Sequence, residues 1–316
     1  MTREQPTSRE ILDALGSRMA DALSVPARGL DLVPMGSVIP RADGAAAFRV
    51  VDPDGRCVAV FQCSAPDFPE MVARSMRCAA EAKRALAATE AAAILDPVLE
   101  TRLDGMSCAL LRYCQPLSNQ RLVWRLQREL LRPRLLAWLL RVTQQTVAEA
   151  TPDERSAHFA APLERIAGER ALHQSLRDDA RRALQRLGDG SWRPRHVLMH
   201  GDVWKGNVLV EPTSTSPERR AWRDRFVVID WPGSLRRGYA VYDLVRLAGS
   251  MRLGPAGLRS ELRRHCDALD AQPDDAGAYL LCALGHVALH LEHFPIDQFV
   301  AMAHSCHDTL RQTSIH

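Results

Sequence analysis

The chain has 316 residues, 46% hydrophobic and 25% charged, with a formal net charge of +3. That length can bury a large core as one big domain or two lobes, and the composition is that of an ordinary soluble globular protein. Basic residues are dispersed among acids. The densest basic stretch, Arg219–Arg225, reads as a solvated surface, so nucleic acid is not an expected partner. The eight cysteines form no CxxC pair, and several sit in apolar runs as free core thiols do. The apolar runs Leu135–Val142 and Tyr279–Leu291 are too short or too interrupted to span a bilayer. No signal-peptide run follows Met1, and a reducing cytoplasm is the expected compartment. Only Lys83 and Lys205 are lysines; arginine supplies all the other basic residues.

In chain order, Thr7–Leu23 predicts an opening helix, with Thr7 and Glu10 in capping-box spacing. Leu30–Val38, Ala45–Gly55 and Arg56–Ser64 are short, rich in β-formers and separated by turn signals, so they predict strands. Pro69–Leu95 predicts one long Ala-rich helix. Pro97–Gly105 and Met106–Cys114 predict two more strands. A small sheet with one helix packed on it follows from that order. After Pro116 the periodicity turns helical, over Leu122–Ala150 and Pro162–Leu187. A strand–loop–strand over His196–Val210 and a strand in Arg225–Ser234 interrupt it, as two hairpin-like elements in a helical lobe. Everything beyond Gly238 reads as helix. The expected divisions are a helical extension over 1–29, a mixed lobe over 30–115 and a helical lobe over 116–316.

The unusual polar groups lie in "HVLMHGDVWKGNVLV", His196–Val210. A plain hairpin turn needs only Gly or Asn-Gly, yet this loop holds Asp202, Lys205 and Asn207. A further acid, Asp230, ends the next strand. Two carboxylates and an amide converging on one point suit phosphoryl transfer. One carboxylate, Asp202, would orient an acceptor hydroxyl while Asn207 and Asp230 hold Mg²⁺ on the phosphates.

"HGDVWKGNVLV" with "FVVIDWPGS" resembles the catalytic and metal-binding segments of the aminoglycoside phosphotransferase, choline kinase and fructosamine kinase group. "YAVYDLVRLA", Tyr239–Ala248, is similar to the segment that follows in that group. The resemblance implies an α+β, two-lobed protein-kinase-like fold: a small antiparallel sheet with one main helix, then a larger helical lobe with a small β island. It implies ATP and Mg²⁺ as cofactors and a small hydroxylated molecule as acceptor. By the same resemblance Asp202 would be catalytic, Asn207 and Asp230 would be metal ligands, and His200 and Asp243 would brace the loop. Tyr113, Cys114 and Gln115 would be the linker that meets the adenine.

One departure stands out. The third strand of this fold carries a lysine that grips the α- and β-phosphates, and Phe61 or Gln62 stands there instead. Lys205 in the loop, Lys83 on the following helix or an arginine is the substitute expected. Gly36 and Gly44 would have to cover the phosphates without a GxGxxG. The missing lysine also favours an alternative, a pseudokinase-like binding or scaffold protein of the same fold. Finally, His286, His290 and His293 fall on one helical face, and two histidines four apart can bind zinc. Val287 stands where an HExxH hydrolase has its glutamate, so core or surface histidines, or a lining of the acceptor pocket, is the expected reading.

Overall fold

The computed structural model describes residues 5–26, 28–35, 45–211, 225–291 and 294–313. The chain opens with α1 (Ser8–Leu23), β1 (Asp31–Pro34), β2 (Ala46–Val51), β3 (Cys57–Cys63), α2 (Met71–Arg84) and a single turn, α3 (Ala88–Ala91). It continues with β4 (Pro97–Leu103), β5 (Met106–Arg112), β6 (Gln115–Pro116), α4 (Arg121–Thr146) and β7 (Ala148–Glu149). Next come α5 (Pro152–Glu154), a π-helical turn (Arg155–Ala160), α6 (Ala161–Gly168), α7 (Gln174–Gly188) and β8 (Arg195–Met199). Last are β9 (Val208–Val210), β10 (Phe226–Val228), β11 (Leu235–Gly238), α8 (Tyr242–Ser250), α9 (Pro255–Ala268), α10 (Asp275–Leu289) and α11 (Ile296–Arg311). The predicted kinase-like order of a small sheet followed by a helical lobe is what the chain adopts.

Two compact units result. The first comprises residues 1–83, 92–117 and 208–233; the second comprises 84–91, 118–207 and 234–316. Gly36, Gly44, His293 and most of Arg219–Arg225 lie outside the described residues. All eight cysteines are free. Among the described residues no helix is long and apolar enough to cross a membrane.

The first unit is built on a five-stranded antiparallel sheet in the order β1-β2-β3-β5-β4. Thr7 caps α1 as its spacing predicts: the Thr7 N–H donates to the Glu10 carboxylate at 2.8 Å, and the Glu10 N–H donates to the Thr7 hydroxyl at 3.3 Å. Ile11, Leu15 and Met19, four residues apart, bury one helical face against one side of the sheet. Each such side chain contributes about 1.5–3 kcal/mol when removed from water. Alternation along β3 then sorts its residues. Ala59, Phe61 and Cys63 join that α1-side core, while Gln62 lies opposite Ala109 and Val60 opposite Leu111. Ala109 and Leu111 pack on Val72 and Met76 of α2, so Val60 and Gln62 face the α2 side. A smaller sheet, β10-β9-β6, completes this unit.

The second unit is mostly helical and carries the sheet β11-β8-β7. Helices α10 and α6 approach closely, because a Cβ at Gly285 would sit 2.1 Å from the Pro162 carbonyl oxygen. Phe159, Trp192, Tyr239 and Tyr279 meet edge to face in its core, with centroids 5.4–5.9 Å apart. The predicted helix over Pro69–Leu95 breaks at residues 85–87 without a proline or glycine. The cause is tertiary. Glu90 on α3 is buried and binds Arg141 at 2.5 Å and Gln145 at 2.6 Å, both on α4, while the Gln145 amide oxygen also accepts the Ala87 N–H. Contacts of this kind override helix propensity. Strands β8 and β9 are likewise not partners, since each pairs within a different sheet.

Candidate active site

Strand β8 runs out at Met199, and the chain turns sharply at Gly201, where φ is +90°. A side chain there would be strained, so glycine is the residue the turn requires. The turn is tied down from α8. Asp243, in the first turn of that helix, accepts the His200 N–H at 2.7 Å and the Gly201 N–H at 3.0 Å. Burial pushes the Asp243 carboxyl up to about 6, opposing the two N–H donors that favour its anion. The Asp202 N–H donates to Nδ1 of His200 at 3.1 Å. That bond ties the His200 ring to the loop backbone. Helix α8 itself starts under strain, because Val241 holds φ of +74°, an outlier for a β-branched residue.

The Asp202 carboxylate thus projects from a locked backbone. One oxygen accepts from Arg246 at 2.6 Å and the other from the Asn207 amide nitrogen at 2.9 Å. The same Asn207 nitrogen donates to the Asp202 carbonyl at 2.9 Å. Two acceptors on that nitrogen turn the Asn207 amide oxygen the other way. The Asp202 side chain keeps 44% of its exposure, so its remaining lone pairs can meet a solute. Lys205 is anchored by its backbone, whose N–H donates to Ser250 at 3.2 Å. Its ammonium lies 5.1 Å from the centre of the Trp124 ring on α4, a cation–π distance.

The structure therefore brings Asp202, Lys205 and Asn207 together in the second unit. Asp230 and the linker residues belong to the first. Asp230 follows β10 with φ of +71° and an exposed side chain, a conformation that Asp tolerates better than most residues. Tyr113 is held by its N–H on the Val58 carbonyl at 3.2 Å. Cys114 is buried, which pushes its thiol up to about 11, and Gln115 pairs with Val210. On β3, Phe61 belongs to the α1-side core, so its α2 side presents Val60 and Gln62, with the exposed Arg49 of β2 opposite Val60. Lys83 is committed elsewhere: its ammonium binds the Asp96 carboxylate at 2.5 Å and approaches the Ile94 carbonyl at 3.4 Å.

Arg246 and Ser250 were not singled out from sequence. Asp243 and Arg246 are three apart on α8, and residues so spaced share a helical face. That spacing was the available signal.

These features define a two-lobed, protein-kinase-like scaffold with its polar loop built on the helical side. The model of the phosphotransferase enzyme family (APH) matches residues 37–280, well over half the chain, and the chain belongs to that family. Its fold is similar to that of a thermostable mutant of aminoglycoside phosphotransferase APH(4)-Ia in the apo form, at 16% identity and a TM-score of 0.54, covering 96% of this chain and 98% of that one. It is also similar to choline kinase LicA from Streptococcus pneumoniae, at 10% identity and a TM-score of 0.50, covering 96% and 99%. At such identities the likeness is one of fold. No curated protein matches the sequence.

Proposed function

We propose that the chain is an ATP- and Mg²⁺-dependent kinase that transfers the γ-phosphoryl group to a hydroxyl of a small molecule, a sugar, an aminoglycoside or a similar acceptor. The observation that carries this reading is the Asp202 carboxylate, held on two sides by Arg246 and Asn207 and still open to a solute. The fixed geometry lets it accept the proton side of an incoming hydroxyl and aim the oxygen.

The donor set suits a hard cation. Asn207 turns its amide oxygen away from Asp202, and Asp230 offers an exposed carboxylate, so both would be oxygen ligands of Mg²⁺. Bound there, the ion would neutralise charge on the transferred phosphate. Lys205 would add a cation from the same loop, swinging from Trp124 toward the phosphates. Tyr113, Cys114 and Gln115 would meet the adenine through their backbone.

A second reading is favoured by one observation, the β3 position with Gln62 in place of a cation. It makes the chain a nucleotide-binding or scaffold protein without turnover. Phosphate transfer from ATP to a panel of sugars, aminoglycosides and amino alcohols, with and without Mg²⁺, separates the two. Mg²⁺-dependent turnover on a hydroxylated acceptor supports the kinase. Nucleotide binding with no turnover on any acceptor supports the second reading.

A further inference from the structure

A second polar cluster lies in the helical unit, and the chemistry above does not use it. Glu154 closes α5, His158 sits in the π-helical turn that follows, and His196 lies within β8. Each offers one ligand atom, and these atoms lie within 4.8 Å of one another. Among the described residues no other trio of His, Cys, Asp and Glu does so. His196 is fully buried, yet its Nε2 has no hydrogen-bond partner, and neither has the buried Nδ1 of His158. A protein core normally satisfies such atoms, so two orphaned ring nitrogens beside one carboxylate require an explanation.

The surroundings orient all three groups. Nδ1 of His196 faces the Gly238 carbonyl at 3.4 Å, which places its proton on Nδ1 and leaves Nε2 with a lone pair. Ligating histidines are held by such a carbonyl behind the ring. Arg237 grips the Glu154 carboxylate at 2.7 and 2.8 Å, and the Thr151 N–H adds 2.9 Å. The two rings meet edge to face at 5.3 Å. The π-helical turn, which carries His158, is a backbone form concentrated at functional sites.

We propose that Glu154, His158 and His196 form a binding site for a divalent transition cation of the Zn²⁺ class, with solvent completing the coordination. Two imidazoles and one carboxylate suit Zn²⁺, whereas Mg²⁺ selects oxygen ligands. The cation would fasten the π-helical turn to β8, the strand that ends in the His200 loop. The histidine run near the C-terminal helices is not the one that assembles. Helix α10 ends at Leu289, and Nδ1 of His290 lies 2.8 Å from the His286 carbonyl, so that nitrogen is already used. His293 lies outside the described residues.

The test needs no turnover, so it stands apart from the kinase assignment. The full chain, stripped with a chelator, is titrated with Zn²⁺ by calorimetry in the presence of excess Mg²⁺, and its melting temperature is followed in parallel. One site is expected, insensitive to Mg²⁺, with a rise in melting temperature. His158→Ala, at a half-buried position, should weaken binding at least about 100-fold, and Arg237→Gln, which removes only what orients Glu154, about 10-fold. Should His158→Ala fail to fold, Glu154→Gln takes its place with the same expectation of weakened binding. No Zn²⁺ binding by the wild type, undiminished binding in a folded ligand variant, or displacement by Mg²⁺ would each overturn the proposal.

Discussion

Two strand ends in this molecule differ in what they offer a phosphate. Strand β3 in the first unit presents Val60 and Gln62 on its α2 side, and the nearby Lys83 is engaged by Asp96. The end of β8 in the second unit presents a carboxylate, an amide, two cations and a buried acid within one turn and one helix. In the first region Lys83 is taken by Asp96, while Arg49 of β2 stays exposed opposite Val60. The second has its charges held by neighbours and still partly open. In the function proposed above, Lys205 of the second region is the cation assigned to the phosphates, because phosphate charge taken from water is costly unless paired.

The largest effect expected is at Asp202. Asp202→Asn keeps the shape and removes the charge, so turnover should fall about 100-fold or more while the melting curve and nucleotide affinity stay near wild type. Turnover within a few-fold of wild type would remove Asp202 from the mechanism. The comparison itself is sharpened by the two lysines. Lys205→Ala should depress turnover by about 10- to 1000-fold, as loss of one charge-stabilising group does. Lys83→Ala should change turnover by less than about threefold and stability by at most about 1 kcal/mol, because its pair with Asp96 is largely exposed. The reverse ranking in a kinetic assay would break the comparison. Arg246→Gln should fall between them, with a loss of about 10-fold in kcat and little change in KM for ATP, since it steadies Asp202 and not the nucleotide.

A smaller effect concerns pH. Asp243 titrates near 6 in the folded chain, above its ordinary value of 3.8. As pH falls through 6 the carboxyl gains a proton and loses acceptor capacity toward the His200 and Gly201 N–H groups, so kcat should decline on the acid side. Stability runs the other way. A raised folded value means that this group's own contribution is fully present below about 3.8 and is lost as pH rises through 6. Rate and melting profiles of the wild type against Asp243→Asn check both: the variant should show neither component.

Much of this was legible in the residues. The alternation in β3, the capping box at Thr7 and the polar loop between two apolar runs each follow from local chemistry, and each is where the pattern puts it. The rest depended on partners remote in sequence. The break before α3 is imposed by Arg141 and Gln145 reaching Glu90, some fifty residues away, against a run of good helix formers. Lys83 is taken by Asp96 rather than by the glutamates that flank it along the chain. Glu154 and His196 meet only because β8 returns past the π-helical turn. The strands flanking Asp202 look like one hairpin, but nothing between His200 and Asn207 could announce that they serve different sheets.

Val241 supplies a last consequence. Its left-handed backbone in a buried β-branched residue stores about 1–3 kcal/mol, a sizeable share of a typical net stability of about 5–15 kcal/mol. The peptide unit acts as a preloaded spring beneath Asp243, compressed by the packing of the helical unit. Warming relaxes that packing first where strain assists it, so the tie between α8 and the His200 loop should let go before the core does. Catalytic inactivation would then precede the main unfolding transition on heating. Val241→Gly, which unloads the spring, should draw the two temperatures together.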